Sequence, residues 1–120
     1  MTGAEDPLSK EMQATFNQSS FHSGFLKLAI LRMVSESPMH GYGMMKEIER
    51  ISEHTWKPSP GSIYPALQEL QRSGYILQET VGRKRVYRIT ERGDAILEAA
   101  LSHVQRGVRC LNNLIDYKQS

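Results

Sequence analysis

The sequence contains one cysteine, Cys110, among its 120 residues. An internal disulfide is therefore excluded, and the scarcity of cysteine is typical of a protein kept in a reducing cytoplasm. No apolar run approaches the roughly 18 residues that a membrane span needs. The opening residues MTGAEDPLSK lack the basic start and apolar core of a signal peptide. These absences predict a cytoplasmic protein with no membrane partner.

Signals for catalysis and for metal binding are also scarce. The four histidines show no metal-ligand spacing with one another or with Cys110. The nearest approach to a phosphate loop, Ser59-Pro60-Gly61-Ser62, lacks the lysine of a P-loop, and no nucleophile elbow occurs. We therefore expect no enzyme activity, no metal and no other cofactor.

Basic residues are concentrated in the second half of the chain. Residues 1–60 hold six Lys or Arg and seven Asp or Glu, whereas residues 61–120 hold nine and six. The overall charge of +2 is too small to indicate a partner, but the asymmetry directs attention to the second half as a surface for an acidic partner.

The stretch Pro58–Tyr75, PSPGSIYPALQELQRSGY, combines loop residues with a helical pattern. Apolar residues spaced by three and four predict a helix with one buried face, and Ser59 or Ser62 is expected to cap its start. Small polar residues and a glycine, in place of long charged side chains, favour close approach of this helix to a nucleic-acid backbone or groove. The candidate DNA-contacting residues here are Ser59, Gly61, Ser62, Tyr64 and Gln68, with Lys57 in the preceding loop.

Two alternatives remain open for this helix. It can be an ordinary amphipathic helix with a proline-rich entry. Tyr64 can pack inward with only its hydroxyl at the surface.

Two short strands, Tyr75–Thr80 and Arg85–Thr90, are predicted to form a hairpin around a turn at residues 81–84. Its basic tip includes Arg83, Lys84 and Arg85, which we predict to contact phosphate or the minor groove. The alternative is a solvated basic loop. Arg88, within the second strand, is expected to pair internally.

Two helices are predicted before this region, one from Ser23 and one opened by His40 to Gly43. The first is apolar on more than one face, which favours burial on several sides. This excess suggests a small apolar effector site between subunits, with Phe25, Leu28 and Trp56 as candidate residues. For Trp56 itself, an anchor of the core or of a subunit contact is the favoured interpretation.

The last helix, capped by Thr90, carries a heptad pattern of apolar residues. We predict that this face forms a homodimer interface, although packing on the chain's own first helix is the alternative. The candidate interface residues are Leu97, Leu101, Val104, Val108, Leu111 and Ile115.

The order helix, helix, turn, helix, basic hairpin, long helix predicts a mainly α fold, a winged helix-turn-helix followed by a dimerisation helix. We divide the chain into a flexible arm at 1–22, a DNA-binding domain at 23–90 and a dimerisation helix at 91–120. A two-fold dimer would place two recognition helices about one DNA turn apart on a pseudo-palindromic operator.

Several motifs resemble those of the PadR family of transcriptional regulators, over about residues 24–100. They are LAILR at 28–32, SPMHGY at 37–42, PSPGSIYPAL at 58–67, SGYI at 73–76 and VYRITERG at 86–93. The resemblance implies a cytoplasmic homodimer, usually a repressor, whose helix with the PGSIYP motif contacts double-stranded DNA and whose hairpin is the wing. It also implies C-terminal dimerisation and, in some members, release of DNA by aromatic or drug-like effectors. The single helix after the wing resembles the short-form members, and Gly43 departs from the acidic residue common there.

Two rival hypotheses come from other classes. The basic hairpin of a winged helix can bind an acidic protein instead of DNA. Cys110 can make the chain a redox regulator, although a buried structural thiol is the simpler interpretation.

Overall fold

The computed structural model describes residues 6–16 and 19–119. The fold is mainly helical with one two-stranded antiparallel hairpin, as predicted. Its elements, in chain order, are α1 (Pro7–Phe16), α2 (Ser19–Glu36), α3 (Gly41–Ile51), α4 (Pro60–Arg72), β1 (Ile76–Val81), β2 (Lys84–Ile89) and α5 (Glu91–Ile115). No described helix is both long enough and apolar enough to span a bilayer.

Part of the predicted N-terminal arm is helical. Residues 7–16 form α1, and α2 begins at Ser19, about one turn before the expected start at Ser23. The extra turn carries His22, whose ring stacks on Trp56 with 4.5 Å between centroids. This tertiary contact stabilises a helical turn that the local sequence pattern did not predict. Residues 1–5 and 17–18 of the predicted arm lie outside the described residues.

The core lies where α2, α3 and α4 meet, closed by one residue each from β1, β2 and α5. Burial of each large aliphatic side chain is worth about 1.5–3 kcal/mol relative to exposure, so this cluster dominates the stability of the chain. The large side chains with least exposure are Ile30, Met44, Ile48, Ile63, Leu67 and Ile76.

The wing is attached directly to the segment that precedes α3. Met39 and Tyr87 exchange two backbone hydrogen bonds, with N–O distances of 3.2 and 2.8 Å. Tyr87 is buried. The paired backbone therefore holds β2 beside the start of α3, which fixes the wing relative to the helices.

Side chains cap two helix starts, the predicted one at Thr90 and one at His40 that was not predicted. His40 Nδ1 accepts a hydrogen bond from the Gly43 amide, and Thr90 Oγ1 accepts one from the Gly93 amide, each at 3.0 Å. Ser59 occupies the N-cap position of α4, but its side chain makes no capping bond. That prediction was wrong because the Ser62 amide already donates to the Ser59 carbonyl oxygen at 3.0 Å.

The hairpin is one residue longer at the turn than predicted. Val81 pairs with Lys84, so Lys84 belongs to β2 and the turn contains only Gly82 and Arg83. Gly82 has a φ of 63°, which glycine adopts readily and which suits the first position of a two-residue turn.

Only the start of α5 belongs to the core. Leu97 is 5% exposed, and Gly93 packs against the backbone of Tyr75 with no room for a side chain. Beyond Leu101, which is half-buried, every residue of α5 is exposed. The helix therefore extends past the body of the chain.

Candidate nucleic-acid interface

A cleft of about 920 Å³ lies between the start of α3, the exposed face of α4 and the wing. Three chain segments that are distant in sequence converge on it because the core packs α3 against α4 and the Met39–Tyr87 pairing places β2 beside them. Its lining residues are His40, Gly41, Tyr42, Gly43, Lys46, Tyr64, Gln68, Gln71, Gln78, Lys84, Arg85 and Tyr87.

The charged side chains that line this cleft are all basic. Lys46, Lys84 and Arg85 line it, and its lining includes no Asp or Glu. Within the described part of the chain, none of these three cations forms an ion pair. Lys46 Nζ lies 4.9 Å from the centroid of the Tyr42 ring, a cation–π contact. Three uncompensated cations in one concave surface favour an anionic ligand.

Tyr64 lines the cleft and packs against the start of α3. A Cβ at Gly41 would lie 3.0–3.2 Å from the Tyr64 ring and hydroxyl, so glycine there leaves the space that the ring occupies. Tyr64 is nevertheless 43% exposed. One side of the ring therefore packs inward, while the other side faces the cleft.

Tyr87 forms the floor of the cleft. Burial is the main reason that its pKa is raised, and the neighbouring Tyr64 phenol adds to the effect while Arg85 opposes it. Tyr87 therefore remains a neutral phenol at physiological pH.

Three glutamines form a polar strip along the cleft. Gln68 and Gln71 project from α4, and Gln78 projects from β1. Gln71 Nε2 donates a hydrogen bond to Gln78 Oε1 at 3.3 Å, which links α4 to the wing. Gln68 makes no side-chain hydrogen bond in the described chain, so its amide donor and acceptor are available to a ligand.

The predicted DNA-contacting residues fall into separate groups. Tyr64, Gln68, Lys84 and Arg85 share the cleft, while Arg83 is exposed at the wing tip. The following residues lie elsewhere around the start of α4: Ser59 and Gly61 are exposed there, Ser62 lines a second groove, and Lys57 Nζ lies 3.7 Å from a Glu49 carboxylate oxygen.

Sequence reasoning missed the contribution of α3 and two of the glutamines. Lys46 and Tyr42 lie on α3 and were not among the predicted DNA-contacting residues. The motif HGYG was the available signal, because two glycines around one aromatic residue leave the α3 start open to close approach. For Gln71 and Gln78, only the pairing of α4 with β1 brings them into the cleft.

Arg88 pairs internally as expected. Its guanidinium donates to both carboxylate oxygens of Glu79, at 3.0 and 3.2 Å. Arg88 is therefore an exposed cation of the wing that already has an anionic partner.

The candidate effector residues are only partly together. The rings of Phe25 and Trp56 lie 5.6 Å apart, and Leu28 packs against the core. Trp56 lines a second groove of about 380 Å³ between α2 and α4, whereas Phe25 and Leu28 do not. Ser52 holds Trp56 in place, since its hydroxyl bonds both the Trp56 amide and carbonyl.

The second groove is more balanced in charge than the cleft. Lys27 and Glu69 form an ion pair of 2.8 Å on its lining, and the hydrogen bond from Lys27 lowers the pKa of the Glu69 carboxyl. This groove is therefore less suited to a polyanion.

The predicted interface residues differ in exposure. Leu97 is buried in the chain's own core, so we remove it from the interface, and Leu101 is half-buried beside that core. The remaining four residues are 44–77% exposed: Val104, Val108, Leu111 and Ile115. Packing on α2, the helix predicted from Ser23, thus accounts only for the start of the heptad pattern. Cys110 is exposed, not buried.

Comparison with known proteins gives consistent matches. The family model "Transcriptional regulator PadR-like family" matches residues 30–99. The transcriptional regulator YqjI of Escherichia coli is 38% identical over 89 residues, which cover 73% of this chain but 43% of YqjI, so the match spans less than half of that relative. The transcriptional regulator Rv3488 of Mycobacterium tuberculosis is 35% identical over 81 residues, covering 64% of this chain and 73% of that protein.

A solved structure shows the same fold. The PadR-like transcriptional regulator from Bacillus cereus superimposes with a TM-score of 0.72 at 25% identity, covering 83% of this chain and all of that one. The family model covers more than half of the chain and includes α3, α4, the wing and the start of α5. The chain therefore belongs to the PadR-like family of transcriptional regulators and has its winged-helix fold.

Proposed function

We propose that this chain is a cytoplasmic, sequence-specific regulator that binds double-stranded DNA as a homodimer at a pseudo-palindromic operator. The observation that carries the proposal is the cleft between α3, α4 and the wing, where three cations without an acid flank the exposed face of a helix. A DNA backbone supplies closely spaced anions to such a surface, while α4 supplies side chains that reach base edges.

In this arrangement α4 enters the major groove. Gln68 presents a carboxamide that can pair with both N6 and N7 of adenine, and Tyr64 contacts the adjacent backbone or a thymine methyl. Gly61 has open space around it, since an added Cβ would meet only Ser59 Oγ at 3.6 Å. The absence of a side chain at Gly61 leaves room for a phosphate near the N-terminus of α4.

The wing contributes contacts that do not depend on sequence. Lys84 and Arg85 face the cleft and bind the backbone strand that lies there, while Arg83 at the tip reaches the next phosphate or the minor groove. Lys57 is a weaker contributor, because Glu49 already lies close to its ammonium group.

The homodimer uses the exposed part of α5. Val104, Val108, Leu111 and Ile115 continue a heptad pattern on a helix that extends beyond the body of the chain. A two-fold axis along this face would present two α4 helices to successive major grooves.

Repression follows if the operator overlaps a promoter, because a bound dimer then excludes other proteins. A small aromatic effector is proposed for the groove beside Trp56, which borders α4 on the side opposite the cleft. Ligand binding there would shift α4 and weaken DNA binding.

Fluorescence anisotropy with DNA from upstream of the coding region tests the proposal. Wild-type protein should bind tightly in excess competitor DNA. Gln68→Ala should reduce discrimination between operator and competitor, with loss of one bidentate base contact per subunit worth about 1–3 kcal/mol. Gln13→Ala, an exposed glutamine on α1, is the matched control and should bind like wild type.

The same experiment separates DNA from an acidic protein partner. Binding that competitor DNA and salt abolish to the same extent would contradict sequence-specific recognition. The basic cleft would then be better explained by an acidic protein surface.

A further inference from the structure

Tyr87 has a side chain that is almost completely buried and a hydroxyl group without a partner. The residue is 6% exposed and lines the cleft between α3, α4 and the wing. Its hydroxyl forms no hydrogen bond with any side chain or backbone group in the described part of the chain. Buried tyrosine hydroxyls ordinarily find a partner, because an unpaired buried polar group costs free energy.

The Tyr87 hydroxyl is open to the cleft. Within residues 6–16 and 19–119, no buried or half-buried residue has a side-chain oxygen or nitrogen atom that is both sealed from solvent and unpaired. The unpaired Tyr87 hydroxyl therefore has accessible surface, and the cleft is the space that the residue borders. A phenylalanine ring would supply the same apolar packing, so the hydroxyl is not needed for the core and is available to a ligand.

The groups around this hydroxyl favour an anion. Lys84 and Arg85 lie on β2 shortly before Tyr87, and Lys46 approaches from α3. Burial raises the pKa of Tyr87, so its phenol stays protonated at neutral pH and donates a hydrogen bond. A hydrogen-bond donor beside several unpaired cations suits a ligand with negatively charged oxygen atoms.

A second phenol shares this site. Tyr64 lines the same cleft, its hydroxyl also makes no hydrogen bond in the described chain, and it lies close enough to Tyr87 to affect the pKa of that residue. One phenol from α4 and one from β2 thus adjoin the cations. A phosphate group suits these donors better than a carboxylate, because it carries more acceptor oxygens in a compact volume.

We propose that the floor of the cleft is a phosphate-binding subsite in which the Tyr87 hydroxyl donates a hydrogen bond to a phosphate oxygen. Tyr64 and Arg85 flank the bound group. The phosphate can belong to the backbone of bound DNA, in which case the inference rests on the proposed function. It can equally belong to a free phosphorylated molecule, which would compete with DNA for the cleft.

Tyr87→Phe tests the subsite, because it keeps the aromatic ring and removes only the hydroxyl. In anisotropy titrations the dissociation constant should rise about tenfold or more on both operator and random DNA, as expected when a hydrogen bond to a charged acceptor is lost. The salt slope should stay that of wild type, because a neutral phenol displaces no counterions. Tyr75→Phe, at a partly buried tyrosine outside the cleft, is the matched control and should bind like wild type.

A measurement without DNA identifies the source of the phosphate. Thermal unfolding is followed in sodium phosphate and in sodium chloride of equal ionic strength. If a free phosphate ion binds the subsite, phosphate should raise the melting temperature of wild type and Tyr75→Phe more than that of Tyr87→Phe. This result with unchanged DNA affinity for Tyr87→Phe identifies free phosphate as the ligand, whereas the reverse pattern identifies the DNA backbone.

The two measurements also separate failure of the subsite from failure of the proposed function. A Tyr87→Phe variant that matches wild type in both measurements would overturn the subsite. A wild type that binds no DNA, but is stabilised by phosphate more than Tyr87→Phe is, would contradict the proposed function and support the subsite with free phosphate as its ligand.

Discussion

The salt dependence of DNA binding gives the sharpest prediction. Lys84→Ala/Arg85→Ala removes two cations that line the cleft and have no acidic partner in the described chain. In a dimer four phosphate contacts are lost. Each contact contributes about 0.9 to the slope of log K against log salt, so the slope should become shallower by about 3.6.

This change in slope has a measurable consequence. Between 50 and 200 mM salt, the affinity of the double variant should fall by a factor about 150 times smaller than the fall seen for wild type. Anisotropy titrations at four salt concentrations, on operator and on random DNA, give both slopes. The reduction should be similar on the two DNAs, because phosphate contacts carry no sequence information.

A matched control variant removes the same number of positive charges from outside the cleft. Arg32→Ala/Arg88→Ala deletes two exposed cations that are paired with Glu36 and Glu79 and lie outside the cleft. Its slope should stay close to that of wild type. The assignment of the cleft as the phosphate-binding surface would be refuted by equal slopes for the cleft variant and wild type. An equal reduction in slope for both variants would refute it as well.

Three further predictions concern stability and assembly. Gly93→Ala should destabilise the chain by about 3 kcal/mol or more in urea unfolding, since the new methyl group would overlap the Tyr75 carbonyl; wild-type stability would contradict this. Burial raises the pKa of Tyr87, so its contribution to stability is complete below about pH 10 and is lost as pH rises through the folded-state value; Tyr87→Phe should lack this alkaline loss in unfolding scans. Val108→Glu/Leu111→Glu should give a folded monomer by light scattering and circular dichroism, and a dimer of unchanged affinity would exclude that face as the interface.

The sequence predicted the helices and strands more accurately than the contacts between them. The periodicity of α4 and the alternation of the strands are local, and each gave the right element within one or two residues. Gly74, just after α4, has a φ of 79°, a left-handed conformation that glycine adopts readily. Local patterns succeed here because one face of each element is buried against the core.

Only part of the cleft lining could be predicted from the sequence. Tyr64, Gln68, Lys84 and Arg85 stand out by residue type, but Lys46 joins them only through the Met39–Tyr87 backbone pairing. Likewise the heptad pattern cannot distinguish residues that face the chain's own core from those that face another chain. Leu97 and Val104 share that pattern, and only the packing at the start of α5 separates them.

The proposed DNA-binding and dimerisation surfaces are joined by a short junction with several hydrogen bonds. Thr90 donates through its hydroxyl to the Gly74 carbonyl at 2.7 Å and through its amide to the Tyr75 carbonyl at 3.1 Å. Gly93 packs against Tyr75 with no space between them. The end of α4, the beginning of β1 and the start of α5 therefore behave as one rigid unit.

In the proposed complex, such a junction would transmit the geometry of the dimer directly to the DNA. If α5 sets the two-fold axis, the distance between the two α4 helices is fixed by bonds at Thr90 and Gly74, which are not among the residues that line the cleft. Base preference then depends on α4, whereas half-site spacing depends on the junction. The two properties can diverge independently among relatives, because different residues determine them.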